Sequence, residues 1–149
     1  MTALPYGNTT IPATKSIGDI MELLQSVGFD RTMQMFDNGR YVVMGQYKGI
    51  QYRWEAQTKG IRSAIEPKRW TAKTIDYDAK ARRVAWRVLW YQIKVACDIL
   101  KYEVQDVTEI FGGHLVYFDQ DGKETTLARM ITERAKTGEF KLPQIEAPK

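Results

Sequence analysis

Lys80, Arg87, Lys94 and Lys101 recur at every seventh position of KARRVAWRVLWYQIKVACDILK. On an α-helix, seven residues return to within about 20° of the starting side, so these four form one slowly drifting line. Arg83 joins the line at a three-residue step, and Tyr91 and Asp98 occupy its gaps. Just upstream, PKRWTAK sets Lys68, Arg69 and Lys73 around Trp70. Cations neutralise phosphates, and an interleaved aromatic ring offers a face on which a base can stack. The chemistry these residues suit is the holding of a polyanion. Charge distribution points the same way. Residues 67–101 hold nine basic and three acidic residues, net +6, within a chain whose total is only +4. Residues 1–66 are nearly balanced, with seven basic and six acidic, and residues 102–149 are acidic, with six against nine.

The basic line has a second reading, as the solvated back of a core helix. Lys and Arg are good helix formers and keep an otherwise apolar segment in water. Against this, five cations share the line with a single acid, Asp98, and like charges one turn apart repel. Either a phosphate backbone or acids from elsewhere in the chain would offset that repulsion. Glu103, Asp106 and Glu109 follow directly and could fold back beside the helix. Trp70 likewise suits either stacking on a base or anchoring its loop to the core. Tyr41, Tyr47, Tyr52 and Trp54 could line a stacking platform on a sheet, or simply fill the core.

Other chemistry finds little material. One cysteine, Cys97, and one histidine, His114, exclude an internal disulfide and a Cys/His zinc site within one chain. Cys97 lies among apolar residues and reads as a small buried hydrophobe. DQDGKE, from Asp119 to Glu124, lacks the ligand spacing of a calcium loop and reads as a turn. Glu66, Asp76, Asp78 and His114 are the residues from which a catalytic pocket could be assembled. No phosphate-cradling glycine loop or nucleophile elbow accompanies them. A non-enzymatic role with no cofactor and no metal is expected.

The elements that must position these residues follow from periodicity. The chain is long enough for one core, and a single domain over 1–149 is expected, with a loose arm at 1–13 and a frayed tail at 142–149. A short strand at Thr9–Ile11 would lie in that arm. Ile17, Ile20, Met21, Leu24 and Val27 mark one face of an amphipathic helix; Ser16 and Asp19 resemble its capping box and Gly28 its stop. From Arg31 the period becomes two. RTMQMF, RYVVMGQY and IQYRWEA read as three strands joined by tight turns at Asn38-Gly39 and Lys48-Gly49. Residues 57–77 show no consistent period. The long helix is expected from about Asp78 to Tyr102, with Trp86, Leu89, Trp90, Ile93, Ala96, Cys97 and Leu100 facing the core. VQDVTEIF then suggests a short helix, HLVYF a strand and TTLARMITERAKTG a last helix with Leu127, Met130 and Ile131 inward. The expected fold is α+β: an antiparallel β-meander packed on one long α-helix, with shorter helices flanking.

The order of elements resembles a group of small proteins encoded by bacteriophages and prophages. The segments that carry the likeness are TTIPATKSIGDIMELLQSVGF, RRVAWRVLWYQIKV, VTEIF, HLVYFDQDGKETTLARMI and KTGEFKLP. That family has no assigned activity and no catalytic residues to carry over. What the resemblance implies is context: an accessory protein of a phage or prophage, working in the bacterial host cytoplasm. No apolar run approaches the ~18–20 residues of a membrane span, and the first fifteen residues lack a signal-peptide pattern. The expected partner is DNA or RNA, bound with little sequence specificity through Lys68, Arg69, Trp70, Lys73, Lys80, Arg83, Arg87, Lys94 and Lys101. The alternative is a protein-interaction module that inhibits or redirects a bacterial host factor. The apolar circumference of the long helix also admits a homodimer.

Overall fold

A computed structural model describes residues 6–37, 40–66 and 76–139. The order is α1 (Ala13–Ser26), β1 (Arg31–Asp37), β2 (Arg40–Tyr47), β3 (Ile50–Trp54), α2 (Lys59–Ile65), α3 (Tyr77–Lys101), α4 (Val107–Phe111), β4 (Val116–Phe118), β5 (Glu124–Thr126) and α5 (Leu127–Lys136). The class is the expected α+β. Strands β1, β2 and β3 form an antiparallel meander, and β4 and β5 form a separate hairpin.

Helix α1 begins earlier than the capping-box reading placed it. Pro12 is its N-cap, with φ −60° and ψ 148°, and no side chain caps the first turn. A proline here costs nothing in hydrogen bonds, because the first N–H groups of a helix lack intrahelical partners anyway. Ser16 therefore lies inside the helix, fully buried, and its hydroxyl has no hydrogen-bond partner among the described residues. The stop at Gly28 is as expected. Gly28 has φ +111°, its N–H donates to the Gln25 carbonyl, and the Phe29 N–H donates to the Leu24 carbonyl. That is the Schellman arrangement, which needs a left-handed residue where Gly28 sits. Ile17, Ile20 and Leu24 are fully buried, so the apolar face is the one the spacing marks.

The sheet register aligns Met33 with Met44, Val43 with Trp54, and Gly45 with Tyr52. The Lys48-Gly49 turn is made with φ +49° and +79°, the positive values a two-residue hairpin turn requires. The Asn38-Gly39 turn lies outside the described residues. Tyr52 and Trp54 are fully buried. With Phe29 and Phe111 they form an aromatic cluster in which the Trp54 and Phe111 rings meet edge-on at 5.3 Å. Gly45 makes room for it: a Cβ built there would lie 2.8 Å from Phe29 Cδ1. Burial holds the Tyr52 hydroxyl above its ordinary pKa, with Asp106 and Tyr47 adding smaller contributions.

Asp76 caps α3 by accepting from the Ala79 N–H at 3.0 Å. The buried face of α3 carries Ala81, Ala85, Trp86, Ile93, Ala96 and Cys97, and the last four join α1 and the sheet in one core. α1 packs directly along α3, and α2 covers its N-terminal part, where Val84 is buried. α2 is a helix that the aperiodic 57–77 stretch did not announce. No side chain of α2 is buried, which is why it left no apolar stripe to read. Thr9–Ile11 is not a strand in the structure, and Ile131 of α5 is exposed rather than inward. The tail at 142–149 lies outside the described residues. None of the described helices is long and apolar enough to cross a membrane.

Candidate nucleic-acid interface

The α3 line does not present five equivalent cations. Arg87 is turned back onto the protein. Its Nη1 lies 3.2 Å from Asp19 Oδ2 on α1, and its side chain is only 12% exposed. Its guanidinium also sits 3.7 Å from the centre of the Trp90 ring. Asp19 is shared, because Lys15 Nζ approaches it at 3.3 Å. Arg87 thus positions Trp90 and ties α3 to α1, a correction to its expected role as a phosphate contact. The ion pair is reached across 68 residues of sequence, so no helix-face argument could supply its acidic partner.

Lys94 is exposed, with its Nζ 5.2 Å from the same Trp90 ring. Trp90 is only partly buried, not a full core residue as its place on the apolar stripe suggested. Two turns of the helix, from Arg87 to Lys94, therefore place an aromatic ring between two cations. Tyr91 is half exposed beside it and meets the ring of Tyr6 at 6.1 Å. Lys80 and Arg83 are half-buried, about two to three turns upstream of Trp90, and make no ion pair among the described residues. Lys101 ends the line in an open groove of about 780 Å³, together with Lys48, Glu103, Asp106 and Glu109. Those three acids form no ion pair with α3 among the described residues. Asp106 and Glu109 are occupied in a reciprocal capping box that starts α4. The fold-back of the acidic segment thus does not neutralise the basic line. Lys101 nonetheless sits among acids and at the negative end of the α3 dipole, which makes it a poor phosphate contact.

Lys68, Arg69, Trp70 and Lys73 lie outside the described residues. Their flanks are placed: Arg62 of α2 pairs with Glu66 at 3.3 Å and with Asp78 at 2.7 Å.

The rival sites resolve into structural roles. Tyr52 and Trp54 are buried, and Tyr41 and Tyr47 pack against the core, so the sheet aromatics are not a stacking platform. Asp76 is a cap and Asp78 an ion-pair partner, whereas His114 lies against Trp54 in a different cavity. The four proposed pocket residues are not brought together. His114 Nδ1–H donates to the Arg53 carbonyl at 3.0 Å, and burial pulls its pKa below the usual value against that hydrogen bond. Cys97 is buried with its thiol pushed up to about 11. Asp119 Oδ1 accepts from the Asp121 and Lys123 N–H groups at 2.9 Å, which is a turn and not an ion cage. No cluster suited to a metal occurs among the described residues.

One charged centre is barely legible in the sequence. Glu55 is largely buried and faces three arginines: Arg40 at 3.2 Å, Arg53 at 3.7 Å and Arg129 at 3.8 Å. Arg53 also reaches Glu124 at 3.2 Å. Only the alternation that sets Arg53 and Glu55 on the outer sheet face hinted at it. The network pins the β4–β5 hairpin and α5 to the sheet. Compared with family models, curated proteins and solved structures, the chain finds no match.

Proposed function

We propose that this protein binds single-stranded nucleic acid without catalysis and with little sequence specificity, through the outer face of α3. The observation that carries this reading is the grouping of Trp90, Tyr91 and Lys94 on the face that Arg83 and Lys80 continue two to four turns upstream. Exposed Tyr91 and half-buried Trp90 are interleaved with cations that no acid of the following segment neutralises. Successive backbone phosphates would be held by Lys94, Arg83 and Lys80, which are spread over about 21 Å of helix, and a base would stack on Tyr91 or on the open part of Trp90. Arg87 would orient Trp90 rather than touch the ligand. Lys68, Arg69, Lys73 and Trp70 adjoin this face in sequence and would extend it. In the setting of the phage resemblance, such a protein acts as an accessory factor in the host cytoplasm.

The test is fluorescence anisotropy with a labelled oligonucleotide, repeated over a salt series. Three phosphate contacts predict a slope of log affinity against log salt near −2, since each contributes about −0.7 on a single strand. Lys94→Ala should flatten that slope by roughly one contact and weaken all sequences alike. Binding to neither single strands nor duplexes at low salt would sink the proposal.

A second reading, a protein-interaction module aimed at a host factor, is favoured by Tyr102 and Val104. Both are strongly exposed on the loop after α3. A defined host protein recovered from nuclease-treated lysate, and lost on Tyr102→Ser, would select this reading over the first.

A further inference from the structure

Strand β1 ends the meander. Its far edge pairs with no strand among the described residues, whereas β3 at the other edge is closed by the Tyr52–Leu115 bridge leading to the β4–β5 hairpin. Natural edges are usually blunted by Lys, Pro or a bulge. RTMQMFD carries none of these, and it exposes Met33, Met35 and Phe36.

The hydrogen-bonding phase of that edge follows from the turn. A two-residue turn at Lys48-Gly49 makes Tyr47 and Ile50 a hydrogen-bonded pair. Alternation then directs the backbone of Met44 and Val42 toward β1, where they face Met33 and Met35. The N–H and C=O groups of Thr32, Gln34 and Phe36 are left pointing outward.

We propose that two copies of this chain pair antiparallel through β1, about a two-fold axis at Gln34, to form a continuous six-stranded sheet. The register is self-complementary at every position. Gln34 exchanges two backbone hydrogen bonds with its counterpart, and Thr32 and Phe36 exchange theirs across the axis. Met33 stands opposite the second copy's Met35 at a close, non-hydrogen-bonded pair. On the outer face Met44 and Met33 continue into the second copy's Met35 and Val42, which covers apolar side chains that one copy leaves open. A symmetric two-fold contact of this kind closes on itself and does not propagate into a fibre. An unrelated extended peptide would satisfy the same backbone groups, but only a second copy brings the matching Met35–Val42 row to continue Met33 and Met44.

The test is sedimentation velocity of the full chain over a concentration series, with site-directed cross-linking. The wild type should show a concentration-dependent dimer. Gln34→Pro removes an outward N–H and leaves the β1–β2 ladder intact; it should weaken association by about tenfold or more while circular dichroism is unchanged. Under mild oxidation, Q34C should form an interchain disulfide, because hydrogen-bonded antiparallel pairs hold their Cα atoms about 5.5 Å apart, within disulfide reach. T32C should not, since four residues of offset separate its two copies by roughly 13 Å. A wild type that stays monomeric, or T32C cross-linking as readily as Q34C, would overturn the proposal. If Gln34→Pro does not fold, the two cysteine variants decide it.

Discussion

Residue types on α3 were legible, but their roles depended on partners. The seven-residue line exists as a helical feature, yet its members divide. Arg87 is spoken for by Asp19 and Trp90, Lys101 shares a groove with acids, and Lys94 is open. His114 belongs to this scale too. Burial lowers its pKa in the folded state, so below about pH 6.5 the unfolded chain takes up a proton that the folded chain resists. The stabilisation is complete above that pH and is lost as pH falls. Urea melts from about pH 7.5 down to about pH 5 should show the midpoint dropping, and His114→Gln should reduce the drop. An equal drop in the variant would assign the pH dependence to other groups.

At the scale of elements, period and punctuation decided most of what forms. Helix α1 stops at Gly28 through a Schellman turn, β2 and β3 meet at Lys48-Gly49, and α3 starts on an Asp cap. Each is a local rule acting over five or six residues. The misreadings also have local causes. Ser16 resembles a cap because Asp19 follows at the right spacing, but Pro12 lies a turn earlier and Asp19 is drawn to Arg87 and Lys15. α2 was missed because it buries no side chain. Within β2, Gly45 is required by packing rather than by its backbone angles. Gly45→Ala forces a methyl group against the Phe29 ring, and overpacking of this kind costs about 1–3 kcal/mol. A thermal melt should show a clear fall in Tm, and a simultaneous Phe29→Leu should recover part of it.

At the scale of the whole molecule, the meander and the β4–β5 hairpin touch through few backbone bonds. The Tyr52–Leu115 bridge is one of them, and the Glu55 network spans the same junction with side chains from β2, the end of β3 and α5. The aromatic cluster crosses it as well, since Trp54 packs on Phe111 and His114. Burial shared in this way argues for one cooperative unit. Thermal unfolding followed by far-ultraviolet and near-ultraviolet circular dichroism should give coincident midpoints. Two separated transitions would mean that the C-terminal hairpin and α5 melt on their own. Glu55→Gln should lower the common midpoint, because it weakens the hold on three arginines at once while keeping their space filled.

By itself the sequence determined the class of fold, the meander with its Lys48-Gly49 turn, the long helix and the basic character of its outer line. These follow from periodicity and turn chemistry, which act between near neighbours and are therefore written in consecutive residues. Only the tertiary structure decided which cations on α3 are committed, and it did so through Asp19, 68 positions away from Arg87. It likewise assembled Glu55 with its three arginines and, among the described residues, left the β1 edge without a partner strand while bridging the edge at β3 to Leu115. Charges and strand edges are matched by whatever packing brings near, and a linear pattern carries no record of that.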